Sequence, residues 1–446
     1  MPVDRRNRAP LLITALVLLG SGINLRPCAA ETLGEALAAT LESNPSLEAQ
    51  KEQLAANRES IAIARAGFFP RATLSATTGR GPVLNATTPV PVPANAAFTG
   101  LDQASSGYAV ALEQPLFDGF RTLNALDEAN ESVAAAEEDL RTVQQRILLD
   151  AVKAYASVLG DRATLALRKD QAGMLKADLT ATKTLAQHGQ ATRTDIDQTT
   201  ARLAVAGASL AAAESSLAAS EAAFEQIVGH PPQALSQPVL PDAAVPHSLP
   251  DAKVMALRGN PEILATRHRE RAARSTIGKV DADFLPQANL SASYGRTYSN
   301  PPLVTDTGDA QVTVQVTLPI SIGGESLARS RQARLILRQR SREVTAKRAE
   351  VVAQLAAAWA ALSAAHQQTE LSHTASAASE RALQGVRRQR EAGDKTALDV
   401  LNSEQDLIET KLREIKSRTD LLVSAYSVLA GAGAVRVDAG QVAAAP

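Results

Sequence analysis

Aromatic residues, cysteine and excess charge of either sign are all scarce in this sequence. Aromatics make up 3 % of the 446 residues although 45 % of the chain is hydrophobic. Alanine supplies the difference. That excludes a conventional aromatic-rich core and favours long helices packed closely through small side chains, since alanine loses no side-chain entropy on entering a helix. Lys and Arg number 46 against 47 Asp and Glu, a net charge of -1. Without a basic surface, nucleic acid is excluded as a partner. No Gly-rich phosphate loop or nucleophile elbow occurs. The histidines, His188, His230, His247, His268, His366 and His373, are scattered, and although His366 and His373 share a helix face, the sequence offers no recognisable metal set around them. The expectation is no enzyme, no metal and no cofactor.

The first thirty residues have the layout of an export leader. Arg5, Arg6 and Arg8 precede an apolar run from Leu11 to Leu19, which is too short to span a bilayer as a helix. Cys28-Ala29-Ala30 offers a cleavage site before Glu31. Cys28, the one cysteine, is either removed with the leader or lipidated; Arg26 and Pro27 stand where a lipid-attachment box has small or apolar residues, which favours removal. Beyond the leader no stretch of eighteen apolar residues occurs. Any membrane span must then be a β-barrel, the other structure that satisfies every backbone group in lipid.

The remaining chain repeats itself. Asn44-Pro45 recurs as Asn260-Pro261, Phe68-Phe69-Pro70 as Phe284-Leu285-Pro286 and Leu74-Ser75-Ala76 as Leu290-Ser291-Ala292, each 216 residues on. After a shorter loop the offset becomes 204, pairing Pro115 with Pro319, Gly119 with Gly323, Tyr155 with Trp359, Gly189 with Gly393 and Asp195 with Asp399. Each half predicts a helix opening at Asn-Pro, two strands, a very long helix ending at glycine and a return helix. The first repeat covers 31–230, with strands at about 71–80 and 107–117 and helices at 120–188 and 195–229. A linker follows over 231–250. The second repeat covers 251–431, with strands at about 287–298 and 311–322 and helices at 325–392 and 396–430. Residues 432–446 form a tail.

The long helices carry a seven-residue apolar period (Leu126, Val133, Leu140, Ile147; Leu203, Leu210, Leu217, Phe224), the mark of helices supercoiled side by side. An ordinary coiled coil would show the same. The strands argue for more. Val312, Val314, Val316 and Leu318 alternate with Gln311, Thr313, Gln315 and Thr317; Leu290 and Tyr294 do so in the preceding strand, and Tyr108, Val110 and Leu112 in the first repeat. An apolar face toward lipid and a polar face toward water is the outer-membrane strand pattern. Nine of the thirteen aromatics lie in these blocks, Phe98 among them, as interfacial belts would. Four strands cannot close a water-filled barrel, so their free edges must meet other copies.

The Asn-Pro helix starts, the stretch Gln114-Pro115-Leu116-Phe117-Asp118-Gly119 and the Gly-x-x-Thr-x-x-Asp turns resemble the TolC family of outer-membrane efflux proteins, over about residues 31 to 431. The resemblance implies an α+β membrane protein in the outer membrane of a Gram-negative bacterium. In it the helix–strand–strand–helix repeats form, as a homotrimer, a 12-stranded β-barrel continuous with a long periplasmic α-helical barrel. It also implies docking to a periplasmic adaptor (membrane fusion) protein and an inner-membrane ABC or proton-driven transporter, with type I protein secretion the most similar branch and multidrug efflux the alternative. A soluble periplasmic coiled-coil adaptor is the rival of another class. By the same resemblance the turns Gly189–Thr192 and Gly393–Thr396 form the periplasmic tip. There Asp399 projects into the pore, Asn402 stands where the family has a second acid, and Asp195, Lys395 and Arg390 occupy positions of gating links. Capping of the return helices by Thr and Asp is the plain alternative.

Overall fold

The computed structural model describes residues 30–82, 102–241, 245–299, 307–320 and 322–435. The leader 1–29, most of the first strand loop with Phe98, the Asn300-Pro301-Pro302 loop and the tail beyond Val435 lie outside the described residues. Among the described residues eight α-helices and four strands run in the order α1 (Leu33–Ser43), α2 (Pro45–Ala66), β1 (Arg71–Pro82), β2 (Asp102–Phe117), α3 (Arg121–Gln187), α4 (Arg193–Val228), α5 (Leu249–Gly259), α6 (Pro261–Asp281), β3 (Gln287–Ser299), β4 (Thr307–Thr317), α7 (Glu325–Glu391) and α8 (Ala397–Ala432). The second half copies the first element by element. At 67 residues each, α3 and α7 are about 100 Å long at ~1.5 Å per residue.

Two helices escaped the sequence reading. α1 starts with a capping box between Thr32 and Glu35, and α5 starts at Ser248, so the second repeat begins inside the expected linker. Each has 11 residues, too few turns for a periodic signal. Asn44 and Asn260 end α1 and α5 and cap α2 and α6 in turn. Both are buried, and each amide also donates to the end of a return helix, to the Ile227 carbonyl at 3.2 Å and the Gly431 carbonyl at 3.1 Å. A side chain that closes one helix, opens the next and ties both to a third explains why Asn-Pro marks each repeat.

The main core lies around the middle of α3, where α1 and the ends of α4 and α8 converge. Tyr155 and Phe224 are fully buried there among Leu33, Leu148, Val152 and Leu429. The Tyr155 hydroxyl lies 2.8 Å from the Glu31 carbonyl and 2.7 Å from the Ser236 carbonyl, holding the segment before α1 against the stretch that follows α4. A second cluster around Leu355 and Ile263, with Trp359 packed on it, is the copy of this core in the other repeat.

The four strands form one antiparallel sheet in the order β1-β2-β3-β4. β4 begins at Thr307 and ends at Thr317, so the expected strand over 311–322 is displaced toward the loop, and Leu318 lies just past it. Its neighbour β3 starts at Gln287, opposite Thr317, so the ladder ends there. At the strand–helix junction Gly119 and Phe120 both take positive φ, and Gly324 does so at the position equivalent to Phe120. A Cβ on Gly119 would come within 2.9 Å of the Ala282 carbonyl. Phe120 adopts the left-handed conformation with its ring edge-on to Phe117 at 5.2 Å.

Candidate functional site

The pairing register assembles the alternating residues of all four strands into two faces. Leu74 stands opposite Val110, Val110 opposite Tyr294, Leu112 opposite Ala292, Leu290 opposite Val314 and Ala292 opposite Val312. Since residues directly opposite share a face, Leu74, Tyr108, Val110, Leu112, Leu290, Tyr294, Val312, Val314 and Val316 form one largely apolar surface, on which Gln114 and Arg296 also stand. Most of it is bare: Val312 is 74 % exposed and Val316 67 %. Leu290 is half-buried, and Leu318, beyond the strand, is exposed. Thr73, Ser75, Ala109, Gly107, Ser293, Thr297, Gln311, Thr313 and Gln315 make up the opposite face, which is polar or small throughout. Aromatics gather in two groups, one toward the middle and loop side of the sheet and one at its helical end. Tyr108, with its ring centroid 6.5 Å from both Tyr294 and Tyr298, forms the first group; Phe68, Phe69, Phe117, Phe120 and Phe284 form the second.

At the far end of the helices the two tip turns are built alike. Gly189 and Gly393 take φ of 76° and 85°, and the next residue's N–H closes back five residues, Gln190 to the Leu185 carbonyl and Asp394 to the Gln389 carbonyl, both at 2.9 Å. Thr192 and Thr396 then open the return helices as N-caps. In each turn the Asp N–H donates to the Thr hydroxyl at 3.2 Å, while the Thr N–H and hydroxyl donate to the carboxylate at 2.9 and 2.8 Å. These bonds from the threonine backbone and then its hydroxyl hold Asp195 below the usual aspartate range, and Asp399 likewise, with a smaller contribution from the charge of Lys395. Capping therefore occupies both carboxylates. Lys395, in the turn just before α8, lies 4.0 Å from Asp399, and among the described residues no hydrogen bond or ion pair joins Asp195, Lys395 or Arg390 to the other hairpin.

Asn402 does meet a partner across the hairpins. Its side-chain oxygen accepts from Arg202 of α4 at 2.7 Å, and Arg202 also donates to Gln405 at 3.2 Å. The sequence reading did not single out Arg202. Nothing in a heptad shows how two hairpins are phased against each other. Glu404, buried between these residues, accepts from Arg387 of α7 at 2.6 Å. His373 pairs with an acid of the neighbouring helix: Glu414 of α8 lies 3.0 Å from its Nδ1. Arg418 takes the same carboxylate oxygen at 2.6 Å. Burial raises the pKa of Glu414, but the bonds from His373 and Ser376 and the nearby charges outweigh it and leave the group below its ordinary value. Among the described residues no three-ligand metal group forms.

The profile of the family described as "Outer membrane efflux protein" matches residues 36–230 and 254–434, one stretch in each repeat. The chain is 31 % identical over 434 residues to the outer membrane efflux protein BepC of Brucella suis, covering 96 % of this chain and 91 % of BepC. It is 27 % identical to the alkaline protease secretion protein AprF of Pseudomonas aeruginosa, covering 86 % of this chain and 80 % of that one. The fold is similar to the crystal structure of the channel CusC, with a TM-score of 0.76 at 17 % identity over 90 % of this chain and 91 % of CusC. With the bare apolar sheet, the paired tip turns and these likenesses together, the chain belongs to the outer membrane efflux protein family, the TolC family, and is a subunit of an outer-membrane export channel.

Proposed function

We propose that three copies close the sheet into a 12-stranded barrel, with the helices continuing as a tunnel across the periplasm. The observation that carries this is the register-matched apolar face. From Tyr108 to Phe117 is nine residues, about 30 Å along the strand at ~3.3 Å per residue and about 23 Å at the ~40° tilt of such barrels, close to their ~25 Å lipid-facing band. In that reading Leu74, Val110, Val312, Val314 and Val316 touch lipid, and the Ser/Thr/Gln face lines a wet channel. β1 and β4, the free edges among the described residues, pair between copies.

The tip would dock an inner-membrane transporter through a periplasmic adaptor. Type I protein secretion is favoured by the Gln114–Gly119 stretch and by the protease-secretion relative; the efflux relative BepC favours the second reading, a multidrug pump. Asp399, kept ionised by its cap, would place one carboxylate per subunit at the pore mouth, with Asn402 leaving that ring thinner by one acid. Single-channel recording tests this. Asp399→Ala reduces block by multivalent cations; unchanged block removes Asp399 from the pore.

A further inference from the structure

Within one chain β2 pairs with β3, and the helices attached to those strands, α3 after β2 and α6 before β3, lie side by side. Their joint is ionic: Glu128–Lys279, Glu131–His268, Glu131–Arg271 and Asp139–Arg269. Every acid in it comes from the first repeat and every base from the second. The free edges of the sheet are β4, which leads into α7, and β1, which follows α2. Pairing β4 with β1 of the next copy therefore sets α7 beside that copy's α2 in the relation of α3 to α6.

The duplication then gives a register. Shifting α3 forward by 204 residues and α6 back by 216 carries Glu131–Arg271 to Leu335 opposite Ala55. The helices are antiparallel, so each step forward on α7 is a step back on α2. Arg331 falls opposite Glu59, Arg338 opposite Glu52 and Arg342 opposite Glu48. Both stripes are spaced by seven and then four residues, which keeps each on one helix face. Nearer the sheet Leu327 falls opposite Ile63, and these apolar side chains are 57 % and 73 % exposed in the single chain.

The chain itself leaves these charges unused. Arg329, Arg334, Arg340 and Lys347 of α7 all have ion pairs. Among the described residues no side-chain hydrogen bond or ion pair engages Arg331, Arg338, Arg342, Glu52 or Glu59, and Glu48 meets only Lys51 of its own helix. All six are exposed.

We infer that Arg331, Arg338 and Arg342 of one subunit form an ionic seam with Glu59, Glu52 and Glu48 of the next. The inference rests on the trimeric barrel proposed above and names the residues that select the neighbour. The α7 stripe is all base and the α2 stripe all acid, so neither surface pairs with itself. Copies join head to tail and close a ring, and two-fold dimers are disfavoured.

The test uses the full-length channel in native outer membranes. Arg338→Cys with Glu52→Cys in the same chain, treated with a short bis-maleimide, should give products of dimer and trimer size. The equivalent in-chain pair, Ala134→Cys with His268→Cys, should stay at monomer size. Arg342→Cys with Glu48→Cys reads the same seam one turn further on, should the first pair fail to reach the membrane. Arg338→Glu is expected to speed trimer dissociation in mild detergent about fivefold, the upper range for one exposed charged contact, and Glu52→Arg in the same chain should reverse it. Intact trimers on a native gel that yield only monomers after cross-linking overturn the seam, as does a charge swap that restores nothing. The barrel reading survives that result, because other elements would then join the copies; absence of any trimer removes the barrel itself.

Discussion

The membrane half of the helical body and its tip are held together by different forces. Near the sheet, α3 is joined to α6 by a ladder of ion pairs, and α6 to α7 by Asp281 with Ser330 and Arg334 and by Glu262 with Lys347. In the middle, fully buried Tyr155 and Phe224 anchor a large core. Toward the tip the hairpins share one arginine and a small cluster of leucine and alanine. Stability drawn from many weak contacts is redundant, whereas a region joined by few can change arrangement when a partner supplies comparable contacts. The same sequence period thus runs through a densely bonded end and a sparsely bonded one.

Substitutions can break or sharpen that contrast. Phe224→Ala should have the largest effect, about 3–5 kcal/mol, because a fully buried ring leaves a cavity in the central core. Thermal or denaturant unfolding in detergent reads it, and a loss under 1 kcal/mol would show that the core is not the anchor. Val314→Arg comes next, at about 2–4 kcal/mol if that side chain meets the bilayer interior, while Thr313→Arg on the other face should cost close to nothing. Equal costs for the two, measured by unfolding in lipid vesicles, would remove the two-faced sheet.

At the tip, Thr396→Ala should cost about 1 kcal/mol, locally, as a lost N-cap. Hydrogen-exchange mass spectrometry should find faster exchange over the first turns of α8 with the core unchanged; slowing or loss of protection in the core would contradict the division. The cap also sets a pH dependence. The folded-state pKa of Asp399 is depressed, so its contribution is fully present above the ordinary aspartate range and is lost as pH falls through the depressed value. Fraying of α8 should therefore begin only in strong acid, and earlier in Thr396→Ala if at all; fraying between pH 5 and 7 would mean another group controls the tip. The smallest effect is expected for Lys279→Gln, at most about 1 kcal/mol, because one partly exposed pair in a ladder is nearly dispensable.

The repeat plan was legible because its punctuation is chemical. Asn-Pro, the left-handed glycines and the Thr-x-x-Asp caps each meet a local backbone requirement that no neighbouring element can replace. Strand faces were legible for a similar reason, since period-two alternation fixes the register once one side is apolar. Tertiary phase was not legible. Whether Arg202 or Asp195 reaches the second hairpin depends on how two supercoils are rotated against each other, and both residues look alike on a helical wheel. Phe120 shows a further limit: its copy in the second repeat is Gly324, the residue that conformation favours, yet phenylalanine takes it too and gains an edge-on ring contact.

Single cysteines placed in turn from Gln311 to Thr317 give the most direct measurement of the two-faced, shared barrel. In native membranes, positions 312, 314 and 316 should react with a lipid-confined reagent, and 311, 313, 315 and 317 with a small water-soluble one. Reaction of every position with the aqueous reagent would contradict the account.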